Sequence, residues 1–279
     1  MRPAPSPLRF AAVASVWVAC FGISIGVFVD VVHRGILGAD SHAYWLTGHE
    51  SDFYRQPPES RDAYLYSPLF AQFIWPLTQL SWPWFRAVWM VAESGAFVWL
   101  LAPLGWSWAP PLLALVALEV SQGNIWAFLG VAAVLGVRWP EYWSFAILTK
   151  ISLALGPIWF AARREWPSVA RSLWPALVLA GISFAASPHQ WTDWVRFLKH
   201  NGDSSGGLLL LRVAIGVVLA VVAAKSDRAW LLVIAMVVAA PVLHGVGFLS
   251  LLAALPRMQP AYRESQRQPL TTAKIEAEP

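Results

Sequence analysis

Charged residues are few. Only 13% of the 279 positions are Asp, Glu, Lys or Arg, about half the roughly 25% found in soluble domains. Combined with 57% hydrophobic residues and a mean hydropathy of +0.53, that deficit excludes an ordinary soluble domain. It points to an all-α, polytopic membrane protein. Cysteine is nearly absent as well. Cys20 stands alone, inside the first apolar run, which excludes an internal disulfide and any Cys-x-x-Cys site. The net charge of +4 is small and not gathered into a basic block, so nucleic acid is not an expected partner. No phosphate-cradling Walker loop, dinucleotide fingerprint or His-Glu-x-x-His helix occurs, and this excludes the usual nucleotide-driven engines and zinc peptidases.

Apolar runs fill the rest, together with 18 tryptophans. Many of these lie at run ends, where an amphipathic ring suits the membrane–water interface. The length accommodates roughly nine or ten spanning or half-spanning helices. Residues 10–32 form the first, an uncleaved signal anchor preceded by Arg2 and Arg9. Residues 66–80, 84–104, 108–120, 124–137, 142–162, 173–186, 208–224 and 229–255 follow, the last read as one span or as two hinged at Pro241. Basic clusters at Arg163, Arg164 and Arg171, at Lys225 and Arg228, and at Arg257, Arg263 and Arg267 favour the cytoplasm. The large loop after the first helix, at 33–64, and a second polar loop at 187–207 then share the outer face. Residues 1–255 read as one transmembrane domain, and 256–279 as a cytoplasmic, disordered tail. No internal repeat is evident, which argues against many transporter architectures.

Few residues carry chemistry. Asp40 follows the first span in GADSHAYW (38–45). A carboxylate partly desolvated at the membrane boundary is a candidate general base, although Asp also caps helices. His42 and His49 share its loop, but without a third firm ligand they define no metal site. Lys150 and Glu93 lie within apolar stretches, where ionisable groups are costly and commonly paired or functional. Lys150 is suited to an anionic headgroup. Arg212 starts a span beside the second outer loop, placed either to meet a phosphate or to snorkel. Gln122 and Asn124 break an apolar stretch, as helix-packing amides or as the lining of a broken helix.

The order of these motifs resembles glycosyltransferase family 87, integral-membrane enzymes of the GT-C type related to polyprenyl-phosphate-mannose-dependent α-mannosyltransferases. The matching pieces are GADSHAYW, YLYSPLFAQFIWPL, SQGNIWAFLGVAAVLG, LTKISLALGPIWFAARREW, SPHQWTDWVRFL, NGDSSGGLLLLR and PVLHGVGFL, nearly end to end. The Gln-Gly order at 122–123 is swapped relative to the family pattern. The resemblance implies a GT-C-like bundle in a bacterial cell membrane with its active site on the extracytoplasmic side. It implies transfer of a hexose, mannose first, from a polyprenyl-phosphate sugar to a glycolipid or glycan acceptor, with inversion. Asp40 would be the base, and Lys150 and Arg212 would hold the donor phosphate. His42, Tyr44, Tyr66, Gln122, Asn124 and His244 would bind substrate, with no metal ligand assigned and the polyprenyl-phosphate sugar as donor substrate. A lipid-carrier transporter or flippase, or a non-catalytic membrane paralogue, remains the alternative.

Overall fold

The computed structural model describes residues 7–58, 60–201, 206–241 and 247–259. Among these the chain is all-helical. The helices are α1 (Pro7–His33), α2 (Ala39–Leu46), α3 (Pro68–Thr78), α4 (Trp82–Leu101), α5 (Ala109–Gln122), α6 (Trp126–Gly136) and α7 (Trp143–Thr149), followed by α8 (Gly156–Ala162), α9 (Trp166–Ala186), α10 (Pro188–Asn201), α11 (Gly206–Lys225), α12 (Trp230–Val238) and α13 (Leu255–Met258). Prolines set several starts. Pro68, Pro83, Pro110 and Pro167 sit in first turns, where the missing N–H would be unpaired anyway.

Among the described residues, four helices are long and apolar enough to cross a membrane: Phe10–His33, Trp82–Leu104, Trp166–Ala186 and Gly207–Lys225. The pair Ala109–Gln122 and Trp126–Gly136 adds a fifth if the two count as one broken span, bent by 117°. The chain is therefore built as a membrane-embedded helical protein. The other apolar stretches are short or broken. The stretch 142–162 breaks at Lys150, whose backbone leaves the helix at φ −128°, ψ 80°; a 3-10 turn follows before α8. The stretch 229–255 also divides, because α12 stops at Val238 and helix resumes at Gly247. His244 and the rest of 242–246 lie outside the described residues, as does the tail from 260 onward.

α1 stands at the periphery. Phe21, Ile25 and Phe28 are exposed along it, as a lipid-facing helix requires. It is pinned to α5 where the Ser24 hydroxyl donates to the Ala114 carbonyl and the Trp17 indole N–H donates to the Ser107 carbonyl. α6 is the central element. Seven of its eleven residues are buried, and it is apolar on every side. α4 turns Phe85, Trp89, Glu93 and Phe97 inward, a four-residue spacing that keeps all four near one face. One continuous buried cluster runs from Ala43 to Met258.

The polar stretch 187–207, read above as a loop, is largely helix. Trp191, Trp194, Val195 and Leu198 recur at i, i+3, i+4 and i+7, the spacing of an amphipathic helix, and α10 forms there. The large first loop likewise contains α2. Two ion pairs fix the opposite end of the molecule. Arg163 Nη1 lies 2.7 Å from Asp227 Oδ1, joining the 163–165 turn to the end of α11. Arg171 Nε lies 2.6 Å from Glu141 Oε1. The basic clusters at 163–171 and 225–228 thus share one side.

Candidate functional site

Three interruptions of helix meet at Asp40. The first is the entry to α2. Gly38 adopts φ +78°, a left-handed conformation natural to glycine, and its N–H donates to the Ser121 carbonyl at 2.7 Å. The second is the α5–α6 break. Gly123 has φ +73°, and a Cβ there would collide with Ser41. The Trp89 indole N–H donates to the Gly123 carbonyl at 2.9 Å. The third is the break at Lys150. Irregular backbone at such depth is tolerated where protein or a polar cavity surrounds it. Here the three breaks aim polar side chains at one another.

Asp40 lies in the first turn of α2, where the positive end of the helix dipole favours an anion. Asn124 Nδ2 donates to Asp40 Oδ2 at 2.6 Å. Asn124 Oδ1 accepts from the Ile125 N–H at 2.7 Å and from the Tyr66 hydroxyl at 3.3 Å. The Tyr66 and Tyr44 hydroxyls are 3.0 Å apart. Asp40 Oδ1 makes no hydrogen bond among the described residues, so a lone pair is free. The Lys150 ammonium sits 4.0 Å from the Trp126 ring centroid and 5.3 Å from that of Tyr66. Burial pushes the Asp40 carboxyl above the ordinary carboxylate range; the Lys150 charge and the Asn124 hydrogen bond oppose that rise. A desolvated carboxylate with a raised pKa and a free lone pair is equipped to accept a proton.

Two further carboxyls lie within electrostatic range. The Asp40 charge reaches both Glu93 and Glu119. Both oxygens of Glu93 and Oε1 of Glu119 are buried without a hydrogen-bond partner among the described residues. Glu93 therefore forms no ion pair with Lys150. The sequence offered a signal for Glu119 that was not used: it is an acid in an apolar run, three residues before the Gln-Gly break.

The remaining candidates are placed elsewhere or play other parts. His42 is two residues along α2 from Asp40, so it projects differently. Its Nδ1 lies 2.7 Å from Asp62 Oδ1, and its ring meets the Trp82 ring edge-on at 4.7 Å. Arg212 is engaged at a helix end. Its Nε donates to the Val238 carbonyl at 3.1 Å, one of the carbonyls a helix C-terminus leaves unpaired. Arg212 is not among the groups acting on Asp40. Gln122 closes α5 and makes no side-chain hydrogen bond among the described residues. No three His, Cys, Asp or Glu side chains converge among the described residues to hold a metal ion.

A cleft lies away from Asp40. It measures about 930 Å³ and lies between the 52–57 segment of the first loop and α10.

Fold and site together define an all-helical membrane protein with a polar centre built on broken helices. No family model, curated protein or solved structure matches the chain.

Proposed function

We propose that this protein is a membrane glycosyltransferase, moving a hexose from a polyprenyl-phosphate sugar to a glycolipid or glycan acceptor on the outer face of a bacterial cell membrane. One observation carries the reading: Asp40 is held through one oxygen by Asn124, keeps the other free, and has the Lys150 ammonium as its nearby cation. Asp40 takes the proton of an acceptor hydroxyl as that oxygen attacks the anomeric carbon. The bond from anomeric carbon to phosphate oxygen breaks, and its electron pair leaves with the polyprenyl phosphate. Attack opposite the leaving group inverts the configuration. Lys150 balances the charge that appears on the phosphate. Tyr44, Tyr66 and Trp126 wall the centre, and aromatic faces suit sugar rings. The GT-C-like architecture and mannose as the hexose are part of this proposal.

The test is sugar transfer in membranes expressing the chain, with labelled polyprenyl-phosphate mannose as donor. Asp40→Asn at matched expression is expected to lower the rate by about 10² to 10⁴, the share one positioned base supplies. An unchanged rate would remove Asp40 as base.

A further inference from the structure

The cleft beside α10 is separate from the Asp40 centre but tied to it. Its floor is Tyr54 and Phe197, both buried, with ring centroids 5.7 Å apart. The Tyr54 hydroxyl donates to the Tyr66 carbonyl at 2.8 Å, and Tyr66 in turn bonds Asn124, the partner of Asp40. One residue thus connects cleft floor to catalytic centre.

The walls are polar and of mixed sign. Asp52 and Asp193 offer acceptors; Gln56, Arg196, Lys199, His200 and Asn201 offer donors. Both cleft arginines already have carboxylate partners. Arg196 Nη1 lies 3.0 Å from Asp193 Oδ1, and Arg55 Nη2 lies 3.0 Å from Glu50 Oε1. Lys199 also lines the cleft and has no carboxylate partner among the described residues, so a compact anion would meet one uncompeted cation and would have to compete with carboxylates at both arginines. A neutral polyol would not, because each of its hydroxyls donates to a carboxylate while accepting from the adjacent guanidinium. The volume of about 930 Å³ is near the upper end of the roughly 300–1,000 Å³ of small-molecule sites, which leaves room for more than one sugar ring. α10 also has a second face. Val195 and Leu198 are exposed, about half a turn around the helix from Asp193 and His200 at 100° per residue. That face suits the membrane boundary and the opposite one the cleft, so a glycan carried on a lipid would reach the cleft at the interface.

We propose that this cleft binds the neutral oligosaccharide portion of the acceptor, and so holds the glycan whose hydroxyl reaches Asp40. The acceptor role rests on the glycosyltransferase reading; saccharide binding by the cleft does not. The experiment is a ligand-observed NMR titration of the detergent-purified full chain with mannotriose and maltotriose, run beside the transfer assay. Wild type is expected to bind at least one trisaccharide. Gln56→Trp, which fills the cleft, and Asp193→Ala, which removes the acceptor beside Arg196, are each expected to weaken binding at least tenfold and to raise the acceptor KM without changing the donor KM. Melting curves identify any variant that fails to fold, and the second variant then decides. No binding by wild type, or undiminished binding by a folded Gln56→Trp, overturns the site. Binding that follows the cleft variants in a chain that transfers no sugar overturns the acceptor role and the glycosyltransferase reading, while the saccharide site stands.

Discussion

Removing the Asn124 side chain separates the positioning of Asp40 from its presence. Asn124 Nδ2 donates to Asp40 Oδ2 at 2.6 Å, a short charge-assisted contact, whereas the Tyr66 contact to Asn124 Oδ1 is long at 3.3 Å. A hydrogen bond to a charged group is worth about 1.5–3 kcal/mol. At about 1.36 kcal/mol per decade, Asn124→Ala lowers the transfer rate by roughly ten- to a hundredfold if that bond holds Asp40 in its working position. The pH profile adds an independent readout. The Asn124 bond opposes the upward push that burial exerts on the Asp40 carboxyl, so its loss raises the Asp40 pKa further. The base works only when ionised, so the acid limb of the rate profile moves to higher pH. Asn124→Asp keeps an acceptor for the Ile125 N–H but sets a second carboxylate against Asp40, which moves the limb further the same way. Both variants are assayed as initial transfer rates against pH at matched expression. Ala also strands a buried N–H, at about 1–3 kcal/mol of stability, so melting is measured in parallel. A folded Asn124→Ala with wild-type rate and an unmoved acid limb would refute this account.

The raised Asp40 pKa also bears on stability. The folded chain binds this proton more tightly than the unfolded chain, so stability declines as pH rises from the ordinary Asp value of 3.8 toward the folded one, and is level above it. Asp40→Asn is expected to melt above wild type at about pH 7, with the gap closing toward about pH 4; a variant melting below wild type at neutral pH contradicts this. Glu93→Leu replaces an unpartnered buried carboxyl with an apolar group of similar reach and is expected to stabilise by about 1–3 kcal/mol; a lower melting temperature would show that Glu93 has a partner in the working protein. Cys20 is buried, so single introduced cysteines can be labelled over a low background. Cysteines at Asp52 and Lys199 are expected to label from one side and at Asp227 from the other; labelling of all three from one side breaks the proposed orientation.

Composition alone revealed the membrane class, because 13% charge is too little to clothe a soluble fold of this size. The nearness of the 163–171 and 225–228 basic clusters was also legible, since lysine and arginine gather on one side of a membrane. Asp40 stood out because acids are rare in such a chain. α10 was missed although its apolar period was present, because its polar residues were read for composition rather than spacing. The break at Lys150 was hidden for another reason: residues 142–162 are continuous in hydropathy, and only packing decides whether the helix runs through a lysine or opens around it. Arg212 shows the converse. Its charge next to an outer loop was visible, but its engagement with the Val238 carbonyl depends on where α12 ends.

The sequence by itself determined the solvent, the helical class and the short roster of ionisable groups at depth. All three follow from transfer free energies that each residue carries wherever it lies. Only the tertiary structure decided that Asn124, Tyr66 and Lys150, separated from Asp40 by 84, 26 and 110 positions along the chain, become its neighbours, while Arg212 does not. Hydrogen bonds and buried charges act over a few ångströms, and no residue's own preferences specify which distant break in a helix will face it.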